Sequence, residues 1–172
     1  ETDRCSKIVA SLLTFSRRSP VSVGPVSINE TLDRSIVLAR HKLELGNITL
    51  VTRIPDHLPD ISGDANQLQQ CLLNLIFNAV DAMPEGGDMH IRAYGKPEKS
   101  CLVIAVEDTG TGIAPEDLPH IFEPFYTTKK EGYGVGLGLS TVYGIIEQHS
   151  GRVEVQSRPE AGTVFLLILP AG

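Results

Sequence analysis

At 172 residues, 41% apolar and 21% charged, the chain fits one globular domain of ordinary size plus an appendage. Its formal net charge of −6 argues against a nucleic-acid or acidic-membrane surface, so any polyphosphate ligand needs local positive potential from a metal, backbone N–H groups or a few lysines. Cys5, Cys71 and Cys101 are far apart and read as reduced thiols rather than as a metal or disulfide set. No apolar run approaches the roughly 18 residues of a membrane span and no signal peptide is evident. The expected location is cytoplasmic, within a parent whose own anchoring stays open.

Residues 2–17 read as an amphipathic helix, with Cys5, Ile8, Leu12 and Phe15 recurring at three and four, stopped by Ser19-Pro20. Because a helical pattern already runs at Glu1, the chain reads as a piece of something longer. Val21–Val26, with Gly24-Pro25, reads as an extended linker. Ser27-Ile28-Asn29-Glu30 has capping-box spacing and opens a helix to Gly46. Thr49–Ile54 alternates as a strand, and Pro55–Gly63 reads as a loop. Asp64 caps a stronger helix that continues to Met83-Pro84. A turn at Glu85–Asp88 leads into strands Met89–Tyr94 and Leu102–Glu107, joined through Gly95-Lys96-Pro97. No sustained period survives between Asp108 and Gly138. A helix then runs from Leu139 to His149, ended by Gly151, and strands Arg152–Gln156 and Thr163–Leu169 close the chain. Helices and strands interspersed without a βαβ rhythm predict an α+β fold with a mixed sheet.

On the helix at 64–83, Gln67, Gln70, Asn74, Asn78 and Asp81 form a polar stripe opposite the apolar side chains. A solvated face would carry Glu or Lys; two asparagines four apart in mid-helix offer carbonyl oxygens for a metal and amide donors for phosphate. Alone, the stripe fits either a solvated face or a site. Asp108-Thr109-Gly110-Thr111-Gly112-Ile113 follows an apolar strand directly, placing a carboxylate at its end and glycines where a ligand could approach the backbone. By itself that is also a plain Asp-x-Gly turn. Gly134-Val135-Gly136-Leu137-Gly138 enters a helix, whose exposed N–H groups make an anion site; the spacing is neither a Rossmann fingerprint nor a Walker A loop. Between them, Phe122–Lys130 puts two aromatic anchors ahead of two threonines and two lysines, the composition of a lid.

In order and spacing, Asn74-x-x-x-Asn78, Asp108-x-Gly110-x-Gly112, the Phe-rich loop, Gly134-x-Gly136-x-Gly138 and Gly162-Thr163 resemble the N, G1, F and G2 boxes and the terminal Gly-Thr element of sensor histidine kinase catalytic domains. The resemblance covers about residues 27–170. It implies the two-layer α/β sandwich shared with Hsp90-type and gyrase-type ATPases (the Bergerat fold), three helices on a mixed sheet, here preceded by one N-terminal helix. The implied division is 1–19 for the second helix of the dimerisation hairpin, 20–26 for a linker and 27–172 for the catalytic domain. It implies ATP or ADP with Mg²⁺ as the bound species. Asn78 would coordinate the metal, and Asn74 would bond a phosphate or the metal's water shell. Asp108 would accept from the adenine amino group, with Gly110, Gly112 and Ile113 against the ring and Thr163 assisting through water. Gly134, Gly136, Leu137 and Gly138 would give the lid mobility and N–H donors, Lys129 or Lys130 would meet the γ-phosphate, and Tyr126 would pack nearby. Some relatives carry a basic residue where this chain has Asp81.

The resemblance also implies a reaction whose nucleophile lies elsewhere. The acceptor motif is missing, and His41, His57, His90, His120 and His149 each have a structural explanation, His149 as a partly charged residue at a helix C-terminus. No catalytic residue is therefore expected within the chain. The expected partners are the phosphoacceptor helices of the same protein, in cis or across a homodimer, and a downstream response-regulator receiver domain; nucleic acid is not among them, and this piece is expected to be monomeric. Two other readings share the motifs. An ATP hydrolase of the Hsp90, gyrase or mismatch-repair type would place a water-activating glutamate where this chain has Asn74, and a nucleotide-dependent docking module would bind without turnover.

Overall fold

Each main helix starts where the sequence supplies a cap. A computed structural model describes residues 22–129 and 134–171; the helix expected at 2–17 and Lys130 lie outside them. Ser27 caps α1 (Ile28–Leu45), its Oγ accepting the Glu30 N–H at 3.3 Å. Asp64 caps α2 (Ala65–Ala82) by accepting from the N–H groups of Asn66 and Gln67. The third helix, α3 (Gly138–Gln148), has no side-chain cap at its N-terminus. The left-handed residues that end α1 and α3 are Asn47 and Ser150, at φ 52 and 56°, not the neighbouring glycines. Gly151 is required for another reason: a Cβ there would lie 2.5 Å from the Ile168 carbonyl oxygen.

The strands are β1 (Gly24–Val26), β2 (Ile48–Arg53), β3 (Ile61–Gly63), β4 (Gly87–Lys96), β5 (Cys101–Asp108), β6 (Arg152–Ser157) and β7 (Thr163–Pro170). Five form a mixed sheet in the order β2-β4-β5-β7-β6, in which only the β2–β4 pair is parallel. The expected α+β sandwich is what forms. Inward residues of β4, β5 and β7 (Met89, Ile91, Leu102, Ile104, Val106, Phe165, Leu167, Leu169) pack on the apolar faces of the helices, with α2 in contact with both of the others. Cys71, on the buried face of α2, has its thiol pushed up to about 12 by burial, so it is packing and not a nucleophile.

Two stretches that read as linker and loop are partly strands. Gly24–Val26 pairs antiparallel with Ile61–Gly63 as a separate two-stranded sheet. Three-residue strands have too little alternation to stand out in sequence. Likewise β4 runs on through Gly95 and Lys96, and the chain reverses one step later, through a 3₁₀ turn at Pro97–Lys99 and the left-handed Ser100. His149 is buried and bridges α3 to the start of α2: Nδ1–H donates to the Ile145 carbonyl at 2.7 Å, and Nε2 accepts the Asp64 N–H at 3.0 Å. A bridge between elements therefore accounts for this histidine at the end of α3.

Candidate nucleotide site

The C-terminal half of α2, the end of β5 and the segment between β5 and α3 enclose a cavity of about 440 Å³, within the range of small-ligand sites. Twelve of the residues singled out from sequence line it: Asn74, Asn78, Asp108, Gly112, Ile113, Tyr126, Lys129, Gly134, Gly136, Leu137, Gly138 and Thr163. Gly110 does not, and Lys130 is outside the described residues. The polar stripe of α2 divides: Asn74, Asn78 and Asp81 face the cavity, whereas Gln67 and Gln70 do not.

At one end of the cavity, Asp108 closes β5 between Met89 of β4 and Thr163 of β7. It is only 6% exposed, a costly place for a carboxylate without a ligand to justify it. Its Oδ1 accepts the Gly110 N–H at 2.9 Å. Burial raises its pKa, opposed by the N–H groups of Gly110 and Thr163 and reinforced by the charge of Glu107. Beside it, Ser157 at the end of β6 organises the floor, although nothing in the sequence marks it. Its hydroxyl accepts the Ile113 N–H at 2.8 Å, donates to the Gly162 carbonyl at 2.9 Å, and lies 2.8 Å from the Thr163 hydroxyl. With its own proton committed to Gly162, Ser157 must accept from Thr163, which leaves the Thr163 oxygen free to accept a further donor.

The glycines here answer first to the protein. A Cβ on Gly110 would sit 2.4 Å from the Ala82 carbonyl oxygen at the end of α2; one on Gly112, at φ 71°, would sit 2.0 Å from the Arg158 carbonyl oxygen. Thr111 confirms the closeness, donating its N–H to Ala82 and accepting from Glu160. The Asp-x-Gly-x-Gly motif is therefore the seam where β5, α2 and the β6–β7 turn meet. Of the two glycines, both expected from sequence to let a ligand approach, Gly112 lines the cavity and Gly110 does not.

The other end is polar and open. Lys129 reaches α2, its Nζ 3.3 Å from the Asn78 Oδ1 and 2.7 Å from the Asp81 Oδ2. Asn74 donates from Nδ2 to the Gly138 carbonyl at 3.3 Å. The lid is folded on itself: Phe125, at φ 67°, donates its N–H to the Gly136 carbonyl, and a Cβ on Gly136 would meet the Phe125 backbone at 2.5 Å. Gly136 is thus a packing requirement, whereas Gly138 has open space where a Cβ would go. The Tyr126 hydroxyl donates to the Asp117 carboxylate, and that bond, more than the smaller burial and charge effects, raises the phenol's pKa. Asp117, unmarked in sequence, holds the lid's aromatic anchor. The start of α3, with no side-chain cap, opens onto the same end through Leu137 and Gly138.

These residues fit a metal carried in by its ligand. Among the described residues no cluster of three or more His, Cys, Asp or Glu could cage an ion. The Asn78 Oδ1 is nonetheless turned toward a cation, the Lys129 ammonium, as a magnesium held chiefly by phosphates and water would require.

Residues 63–172 match the family model described as histidine kinase-, DNA gyrase B-, and HSP90-like ATPase. The chain belongs to that family. Within it, this is an ATP-binding catalytic domain of the sensor histidine kinase type. It is 40% identical to the sensor kinase CckA of Brucella abortus over 98% of its length and 19% of that protein. It is 36% identical to the sensor histidine kinase ZraS of Escherichia coli over 99% of its length and 36% of that protein. The chain thus spans between about a fifth and about a third of these relatives. The catalytic domain of histidine kinase ThkA superposes with a TM-score of 0.77 at 30% identity, covering 87% of this chain and 96% of that one. Full-length ShkA in complex with AMPPNP superposes at 0.85 with 29% identity, covering 99% and 36%. No helix among the described residues is long and apolar enough to cross a membrane.

Proposed function

We propose that the cavity binds Mg-ATP and presents its γ-phosphate to a histidine on the dimerisation helices of the same protein, in cis or across a homodimer. In this reading residues 1–19 finish the helical hairpin, 20–26 link it and 27–172 form the catalytic domain. The observation that carries it is a single cavity with the buried carboxylate of Asp108 at one end and the amide of Asn78 at the other. That pairing suits a ligand with a purine donor at one end and a metal-bound anion at the other.

Phosphoryl transfer asks a protein for positioning and charge neutralisation more than for covalent chemistry. Asp108 accepts from the adenine amino group, and Thr163, whose oxygen has a lone pair to spare, accepts a bridging water. Gly112 and Ile113 form the wall against the ring, and Gly110 supports it from behind by holding the Asp108 Oδ1. Asn78 offers Oδ1 to magnesium, which when bound neutralises charge on the phosphates. Asn74 faces the phosphates or the metal's waters, and Lys129 or Lys130 faces the γ-phosphate. The uncapped N–H groups of α3, reached through Gly134, Gly136, Leu137 and Gly138, supply positive potential that costs no side chain. Tyr126 stays with Asp117 and positions the lid. The nucleophile and its base are those of the acceptor helix, and a response-regulator receiver domain takes the phosphoryl group afterwards; ThkA has been seen in complex with the response regulator TrrA.

Asn74 weighs against hydrolysis. Its Nδ2 donates to Gly138, and an amide cannot take a proton from water at neutral pH. The test is to mix the chain with Mg-ATP and a separate acceptor helix pair. Acid-labile phosphate on the helices is the expected result. Free phosphate alone would assign a hydrolase, and binding without turnover would assign a docking module.

A further inference from the structure

Asp81 is an unfavourable neighbour for a triphosphate. It lies on α2 one turn beyond Asn78 and lines the cavity, so its charge alone would repel phosphate oxygens. Two lysines from different elements converge on it, one at each oxygen. Lys129, from the lid, places Nζ 2.7 Å from Oδ2. Lys42, from α1, places Nζ 3.6 Å from Oδ1 and 4.5 Å from the ring centre of Phe77, which is itself part of the cavity wall. The three side chains are between 35% and 45% exposed, so these ion pairs add little to folding stability. Their consequence is one of position. The carboxylate gathers two ammonium groups into a pair that carries a net positive charge at the mouth where the phosphates would enter.

We propose that Asp81 is a positioning residue that holds Lys42 and Lys129 at the phosphate end of the cavity, and that Lys42 is a further contact for the terminal phosphates. This rests on the nucleotide reading above. None of the motifs that define the site includes α1, so Lys42 joins it only through the tertiary fold. The cation–π contact with Phe77 keeps its ammonium near the cavity when lid and ligand move.

The test measures the affinities of the 172-residue chain for Mg-ATP and for AMP by calorimetry. Lys42→Met should bind ATP about tenfold more weakly, as expected for one lost charge-assisted contact, with AMP unchanged, and Lys42→Arg should recover most of the loss. Asp81→Asn decides by sign. If Asp81 seats the lysines, removing its charge weakens ATP binding several-fold; if it merely repels phosphate, ATP binds more tightly and the proposal is overturned. Unchanged ATP affinity in Lys42→Met, or an equal loss for AMP, also overturns it. Should the unmodified chain bind neither nucleotide, the nucleotide reading itself fails; binding by that chain with indifferent variants removes only this inference.

Discussion

The two ends of the cavity are built by different means. The Asp108 end is a seam of backbone. Gly110 touches α2, Gly112 touches Arg158, and Gly162, at φ 77°, touches the Asp108 carbonyl, each too closely to admit a Cβ. The Asn78 end is assembled largely from side chains, exposed lysines and a carboxylate, beside the uncapped start of α3 and a loop that the Tyr126–Asp117 and Phe125–Gly136 bonds help to hold. The first is continuous with the core and fixed before any ligand arrives. The second consists of contacts of the kind that solvent screens and motion breaks. In the proposed reading, backbone continuous with the core would meet the base and solvent-screened ion pairs would meet the phosphates, so product could leave without unfolding the first end.

The hardest blow to that contrast is a methyl group at the seam. Gly112→Ala forces a left-handed residue against a carbonyl oxygen at 2.0 Å. It should cost about 2–5 kcal/mol, combining backbone strain and overpacking, read from the urea midpoint of the unliganded protein. A loss no larger than an ordinary surface substitution would show that the seam is not rigid.

Next in size is Asp108→Asn, which separates recognition from stability. The amide can still accept from Gly110, but it no longer presents a pure acceptor to a purine, so ATP affinity should fall by about 1–3 kcal/mol. Stability should move the other way. Burial holds the carboxyl's pKa above the ordinary 3.8, so as pH rises past that value the unfolded chain gives up its proton first and the folded state loses ground. The contribution is fully present below 3.8 and lost as pH rises through the folded value. At neutral pH the unliganded Asn variant should therefore be at least as stable as the parent by urea denaturation, and the parent should gain on it as pH falls through the acid range. At the opposite end, Asn78→Asp sets a second carboxylate beside Asp81 facing the phosphates. Calorimetry with and without magnesium should show ATP binding weakened by about 1–3 kcal/mol.

This contrast also explains what could be read from the residues alone. Asp108, Gly112, Asn74 and Asn78, which the fold brings to one cavity, could be marked as candidates from a strand that ends in a carboxylate and amides where a helix would ordinarily carry charge. Each pattern alone also fits a turn or a solvated face, and only their order along the chain joins them. Ser157, Asp117 and Lys42 could not be, because none has a type or spacing that marks it: Ser157 and Lys42 meet partners far along the chain, and Asp117 meets Tyr126 across an irregular loop. Ser157 meets Ile113 only through the β6–β7 register, and Lys42 meets Asp81 only because α1 packs beside α2. Gly110 adds a packing reason that its motif does not show, the Ala82 carbonyl at the end of α2. A glycine's freedom is visible in sequence, but the neighbour that requires it is not. His149 shows the converse, a helix-end position whose actual work is to accept the Asp64 N–H across the fold.

The smallest predicted effect on the fold is the sharpest discriminator. Gly138 begins α3 at the Asn78 end of the cavity, and among the described residues nothing beyond its chain neighbours and its own helix lies within 4 Å of where its Cβ would be. Nor does its φ lie in the left-handed region. The fold therefore gives no reason for glycine at this position. Gly138→Ala should leave stability unchanged or raise it by up to about 1 kcal/mol, since alanine is the better helix former. What remains to explain the glycine is close approach of a ligand to an uncapped helix terminus, so the same variant should bind ATP several-fold more weakly while binding AMP as before. Weaker ATP binding without loss of stability would mark the backbone here as shaped for phosphate, as clearly as the clash at Gly112 marks the seam as shaped for the fold.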